Sequence, residues 1–211
     1  MMASGTQSVG GLDVSRETFA MLQVFEAEVR RWNPTVNLVS RSSLDDLWQR
    51  HIEDSAQVFA FCPQQASRWV DIGTGGGFPG LVIAILAHES RPALKVILVE
   101  ADQRKSVFLR QTIQKLGLAT MILASRAESL PPLDADVISA RALAPLDQLL
   151  GLSRPHLNAD GVCLFQKGAR YSDEVAEARK SWAFDLDVAP SLSQDDAALL
   201  IIRKFNRAKQ S

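Results

Sequence analysis

Apolar residues recur at steps of three and four at Phe19, Leu22, Phe25, Val29 and Trp32, which predicts one buried stripe of a helix. Ser15 stands where an N-cap is wanted, with Thr18 in the turn that follows. Asn33-Pro34 is expected to end this helix, because proline pushes the residue before it out of the helical region. A second helix is expected from Ser42 or Ser43, with Leu44, Leu47, Trp48, His51, Ser55 and Val58 on one face. From Trp69 the period changes. Short apolar runs at 69–72, 95–99, 120–124, 136–140 and 161–166 read as strands, and helical patterns separate them. Asp102 is placed to cap one of these helices and Gly117 to stop it, while Pro145 opens another. Runs at 184–188 and 197–203 follow each other with only a polar turn between. Strands that alternate with helices require right-handed crossovers and a mostly parallel sheet; two strands in succession imply an antiparallel hairpin at one edge.

Three units are expected on this pattern: a mobile, small and polar tail at 1–14, a helical extension at 15–62, and an α/β core at 63–205. The chain has 211 residues, enough for about one domain. No apolar run reaches the ~18 residues of a membrane helix, and the N-terminus lacks the basic-then-apolar order of a secretory signal. No membrane association is therefore expected. Cys62 and Cys163 form neither a metal motif nor a disulfide framework, which fits a cytoplasmic protein with reduced thiols. With no apolar surface stripe that demands a partner, a monomer is expected. The net charge of −1 excludes a protein that coats nucleic acid through a global field, so any such contact must be a local patch.

The richest stretch is Asp71-Ile72-Gly73-Thr74-Gly75-Gly76-Gly77-Phe78-Pro79-Gly80, between a predicted strand and a predicted helix. Ligands bind at such turns in α/β sheets. The spacing admits a dinucleotide fingerprint, Gly75-x-Gly77-x-x-Gly80, or the Asp-x-Gly-x-Gly-x-Gly pattern of class I methyltransferases, or a tight turn with no ligand. Physics favours the second. A pyrophosphate wants free N–H groups at the helix start, and Pro79 removes one. Asp71 adds negative charge, which opposes a pyrophosphate but tolerates the ammonium and sulfonium of S-adenosylmethionine. Asp71, Gly73 and Gly75 are thus candidate cofactor residues. Glu100 ends the next strand, where a carboxylate can accept both hydroxyls of a ribose. Ala127-Glu128 follows the third strand, where class I enzymes hold the adenine. The fold expected is α/β: a Rossmann-like class I methyltransferase with a seven-stranded, mostly parallel sheet and a helical N-terminal extension.

The residues narrow the chemistry further. After the fourth strand stands Ser139-Ala140-Arg141-Ala142-Leu143, not the Asn/Asp-Pro-Pro-aromatic motif that goes with exocyclic amine methylation. Methylation of a pyrimidine carbon needs an attacking thiolate, and neither cysteine is well placed. A substrate that already offers a lone pair fits what is left, and guanine N7 is one. Arg126, Arg141 and Lys167 each follow a predicted strand at the ligand edge, which argues for an anionic substrate.

Asn37-Leu38, Arg50-His51-Ile52-x-Asp54-Ser55, the loop 71–80, Arg104-Lys105, Ser125-Arg126-Ala127-Glu128, Ser139 with Arg141-Ala142, and Lys167-Gly168 occur in the order of one family. Over residues 15 to 205 the chain resembles the RsmG family, also called glucose-inhibited division protein B. That resemblance implies N7 methylation of one guanosine in the 530 loop of 16S rRNA, with S-adenosylmethionine as donor. It implies cofactor contacts at Gly73, Phe78, Ala127, Glu128 and Arg141, and RNA-facing or catalytic roles for Asn37, His51, Arg126, Arg141 and Lys167.

Taken alone, these residues also have plainer readings. His51 shares a stripe with Leu47, Trp48 and Ser55 and could be a core histidine; Arg50 and Asp54 could be a helix surface pair. Methylation of a small molecule or protein, a non-catalytic RNA-binding module, and a dinucleotide oxidoreductase are the competing functions.

Overall fold

The computed structural model describes residues 6–208. A short hairpin comes first, β1 (Gln7–Val9) against β2 (Leu12–Val14). It is followed by α1 (Arg16–Val36), a 3-10 turn (Arg41–Ser43), a π-helical turn (Trp48–Glu53) and α2 (Asp54–Phe59). The core then runs β3 (Arg68–Ile72), α3 (Gly80–Ser90), β4 (Lys95–Val99), α4 (Gln103–Leu116), β5 (Met121–Leu123), β6 (Ala135–Arg141), α5 (Leu146–Ser153), β7 (Leu157–Lys167), α6 (Tyr171–Ala178), β8 (Trp182–Pro190) and β9 (Ala198–Arg207).

The seven core strands form one sheet in the order β5-β4-β3-β6-β7-β9-β8. β5 through β7 are parallel, and β9 is antiparallel to both β7 and β8. The chain starts in mid-sheet, builds outward through β4 and β5, and returns to the other side with β6. The order therefore reverses between β3 and β6, and loops leaving the carboxyl ends of those two strands face a common crevice.

Both faces of the sheet are covered. On one face α1, α3 and α4 share a core that includes Leu22, Phe25, Val29, Leu81, Ile85 and Phe108; on the other, α5 and α6 pack Leu149, Leu150 and Ala178 against Phe165 and Leu200. α1 thus belongs to the same apolar core as the sheet helices.

Local rules account for most boundaries. The Ser15 side chain accepts from the Thr18 amide at 3.1 Å, and that of Asp102 from the Arg104 and Lys105 amides at 2.8 and 3.2 Å. Gly117 closes α4 at φ +65°.

Three expectations are corrected. The segment expected to be a mobile tail forms the β1–β2 hairpin from Gln7 to Val14, with Val9 and Val14 buried in the core; residues 1–5 lie outside the described part. Pro34 does not end α1, which runs one turn further to Val36, and Asn37 at φ +54° caps it. The buried Asn33 side chain instead accepts from the Val39 amide at 2.9 Å, which fastens the exit of the helix. The second helix is also not continuous from Ser42: it begins at Trp48 and its first part is π-helical.

Candidate active site

A cleft of about 960 Å³ opens at the carboxyl ends of β3, β4 and β6. Its floor is the glycine loop. The Gly73 and Thr74 amides donate to the Val99 carbonyl at 2.9 and 3.1 Å, which ties the loop to β4. Gly73 and Gly75 have φ of +67° and +59°, a region side chains rarely adopt. A Cβ on Gly73 would lie 2.6 Å from Leu143 Cδ1. The bare backbone therefore forms one wall of a narrow cradle roofed by Leu143.

Asp71 sits beneath this loop, not in the cleft. It is fully buried; its carboxylate accepts from the Gly80 amide at 2.9 Å and from the Ser139 hydroxyl at 2.6 Å. Ser139 in turn accepts from the Trp69 indole at 2.8 Å. Burial raises the Asp71 pKa to about 6, although these donors oppose the shift. Its assignment as a direct cofactor contact is thus corrected: it locks the start of α3 to β6. The amide at the start of α3 is consumed by Asp71, so that helix end is not free to receive a pyrophosphate.

Glu100 is nearly buried at the cleft wall. One carboxylate oxygen accepts from the Gly75 amide at 2.8 Å and the other from the Asp102 amide at 2.7 Å. Each oxygen keeps a second lone pair, so the group can accept ribose hydroxyls while it fixes the loop. Ala127 and Glu128 lie on a 3-10 turn (Ala127–Ser129) that also lines the cleft, and the Ala127 carbonyl lies 3.1 Å from His156 Nε2. Among the expected cofactor residues, Gly73, Gly75, Phe78, Glu100, Ala127, Glu128 and Arg141 converge on one cavity.

Phe78, His51 and Arg141 meet at the centre of the cleft. The Arg141 guanidinium lies 5.0 Å from the Phe78 ring centroid, and the His51 ring stacks on Phe78 at 5.1 Å. Arg141 also donates to the Arg50 carbonyl at 3.4 Å, within the π-helical turn. Burial lowers the Arg141 pKa to about 10 against the pull of Asp54 and Asp71. Burial, with Arg141 and Arg50 nearby, lowers that of His51 to about 3. His51 is therefore neutral at pH 7. Both its ring nitrogens are shielded from solvent and without a hydrogen-bond partner among the described residues.

Two expected residues lie differently. Asn37 is the exposed left-handed cap of α1 and does not line the cleft, so its side chain takes no part in this cavity. Lys167 lines it but is not a free cation: its ammonium is nearly buried, donating to Glu174 at 2.6 Å and to the Ala144 carbonyl at 2.6 Å. Arg126 is exposed at the rim and in no ion pair among the described residues.

The sequence reading also missed a second rim. The 191–194 turn between β8 and β9 is held over the cleft by Asp54, whose carboxylate accepts from the Ser191 hydroxyl at 2.7 Å and the Ser193 hydroxyl at 3.1 Å. Gln57 fastens the same turn through the Pro190 carbonyl and the Leu192 amide at 2.6 and 3.0 Å. Asp54 and Gln57 are three apart on one helix, but nothing local to them points to a turn more than 130 residues away.

The switch-point sheet, the glycine cradle and the carboxylate one strand on define a class I methyltransferase that uses S-adenosylmethionine. Similarity to known proteins agrees. Solved structures with the same fold include an S-adenosylhomocysteine-bound methyltransferase from Podospora anserina (TM-score 0.59, 16% identity, 88% of this chain and 87% of that one). Another is an O-methyltransferase from Bacillus cereus in complex with S-adenosylhomocysteine (TM-score 0.57, 14% identity, 90% and 92%). Among sequences, the ribosomal RNA small subunit methyltransferase G of Ruegeria pomeroyi is 50% identical over 196 residues, 93% of this chain and 96% of the relative. That of Cereibacter sphaeroides is 49% identical over 192 residues, 91% and 93%. Residues 18–198 match the family described as rRNA small subunit methyltransferase G, and the chain belongs to that family.

Proposed function

We propose that this enzyme transfers a methyl group from S-adenosylmethionine to N7 of a guanosine in the 530 loop of 16S rRNA. Family membership supports the rRNA substrate. The observation that carries the reading onto this cleft is the group of cations at its mouth. Lys105, Arg126 and Arg170 line the mouth and are in no ion pair among the described residues. In a chain of net charge −1, these three cations stand beside the cofactor cradle, where phosphates would approach.

The donor supplies an electrophilic methyl group on a sulfonium. Gly73 and Gly75 would let the backbone approach it, and Glu100 would accept from its ribose hydroxyls. Guanine N7 already carries a lone pair, so no residue has to remove a proton, and catalysis reduces to alignment and charge. Positive charge passes to the purine during transfer. His51, neutral at pH 7, adds no positive charge against it, and its ring backs Phe78 on the side of Arg141. Asn37 remains outside this picture, and Lys167 acts indirectly.

The enzyme works as a monomer in the cytoplasm, where its rRNA substrate is made. No described helix is long and apolar enough to cross a membrane; of the exposed large apolar residues, Val107, Met121 and Val188 lie on three different elements, and Leu143 and Leu192 lie on two loops. Methyl transfer from labelled S-adenosylmethionine to 16S rRNA, followed by mapping of the modified base, tests the proposal. A single N7-methylguanosine in the 530 loop is expected. Transfer to another base, or only to protein or small molecules, overturns it.

A further inference from the structure

The strap that joins β6 to α5 (residues 142–145) carries Leu143 over Gly73 and leaves directly from Arg141. It is a loop, with Ala142 at φ +51°, and it covers the cofactor cradle, so something has to hold its height. Glu174, in the first turn of α6, does so from both ends. One of its oxygens accepts from the Leu146 amide at 2.9 Å, just past the strap, and from the Lys167 ammonium at 2.6 Å. Lys167 passes the constraint on to the Ala144 carbonyl at 2.6 Å, inside the strap. The Lys167 side chain is 6% exposed and that of Glu174 28%. An ammonium so enclosed is a poor phosphate ligand. To reach an RNA it would have to abandon a carboxylate and a carbonyl, at the cost of both charge-assisted hydrogen bonds.

We propose that Glu174 is a positioning residue for methyl transfer: acting with Lys167, it pins the 142–146 strap and so sets Leu143 above Gly73 and Arg141 over Phe78. The inference rests on the reading of this cleft as the place where cofactor and rRNA meet. It gives Lys167 a role as a strut between α6 and the strap, in place of an RNA contact. Glu174 and Lys167 form one unit, so loss of either should look alike, and loss of both should be little worse than loss of one.

The test compares the wild-type chain with E174A, E174Q, K167A and the E174A/K167A double variant. S-adenosylhomocysteine affinity is measured by calorimetry, kcat and KM by rRNA methylation, and RNA affinity at several salt concentrations. E174A and K167A should each weaken S-adenosylhomocysteine binding by about 5- to 30-fold, the loss of one or two hydrogen bonds to a charged group. Both should lower kcat, with KM for rRNA little changed and the salt slope of RNA binding as in wild type. The double variant should match the singles. E174Q keeps an acceptor for the Leu146 amide and should recover part of the loss; should E174A fail to fold, E174Q carries the test. Wild-type cofactor affinity and kcat in the glutamate variants overturn the inference. So does a K167A variant that loses nearly one unit of salt slope, as removal of a phosphate contact would. A wild-type chain that binds no S-adenosylhomocysteine refutes the functional reading and this inference together. An active wild type beside unaltered glutamate variants refutes the inference alone.

Discussion

Around the glycine loop two carboxylates are answered by protein. Asp71 is held by the Gly80 amide and Ser139, and Glu100 by the Gly75 and Asp102 amides. At the mouth, Arg126 and Arg170 are exposed and in no ion pair among the described residues. The floor is organised before any ligand arrives, because its backbone geometry is determined by hydrogen bonds within the chain. The mouth is left to be completed by whatever binds there. A donor of constant shape suits the first arrangement, and a large, folded polyanion suits the second.

If that contrast is right, damage to the floor should be severe and confined to the cofactor. Gly73→Val adds a branched side chain at positive φ and against Leu143, and calorimetry should find no measurable S-adenosylhomocysteine binding in a chain that still folds. Glu100→Ala, which leaves the Gly75 and Asp102 amides and the ribose without an acceptor, should cost on the order of 2–4 kcal/mol, roughly 30- to 1000-fold in cofactor affinity. Normal binding by both variants would mean that the loop is not the cradle described.

Damage to the mouth should be milder and should appear with RNA. Arg126→Ala should weaken rRNA binding by about 5- to 10-fold and reduce the salt slope by a little under one unit. Cofactor affinity should stay within about twofold. A variant with an unaltered salt slope would remove Arg126 from the RNA face.

The smallest effect concerns acid stability. The native His51 pKa is lowered to about 3, so between its ordinary value near 6.5 and about 3 the unfolded chain takes up a proton that the native chain refuses. This group therefore makes the fold less stable as pH falls through that window, and the full loss is reached below about 3. His51→Phe, which preserves the stack on Phe78, should flatten the dependence of Tm on pH in that range. A steeper dependence in the variant would contradict the buried, neutral imidazole. Asp71 runs the other way: its raised pKa costs stability as pH rises from about 4 to about 6.

The order of residues alone was enough for the seven strands, the antiparallel pair at the edge and the glycine cradle with its carboxylate partner. Each of these rests on a local rule: a period of two or 3.6, a cap, or a backbone angle that only glycine adopts readily. The same rules misplaced what depends on distant groups. The β1–β2 hairpin looks polar and mobile in sequence because Val9, Leu12 and Val14 are the few apolar residues that turn inward, and they find their core in helices that come later. Asp71 and Glu100 look alike as acidic residues at strand ends, but packing makes the first a buried lock under the loop and the second a wall of the cleft. Lys167 reads as a cation at a ligand edge until α6 brings Glu174 against it. Arg126, with no such neighbour, keeps its charge for the solvent side. Which charges are answered from within the fold and which are left for a ligand depends on contacts tens of residues apart, and only the tertiary structure could decide it.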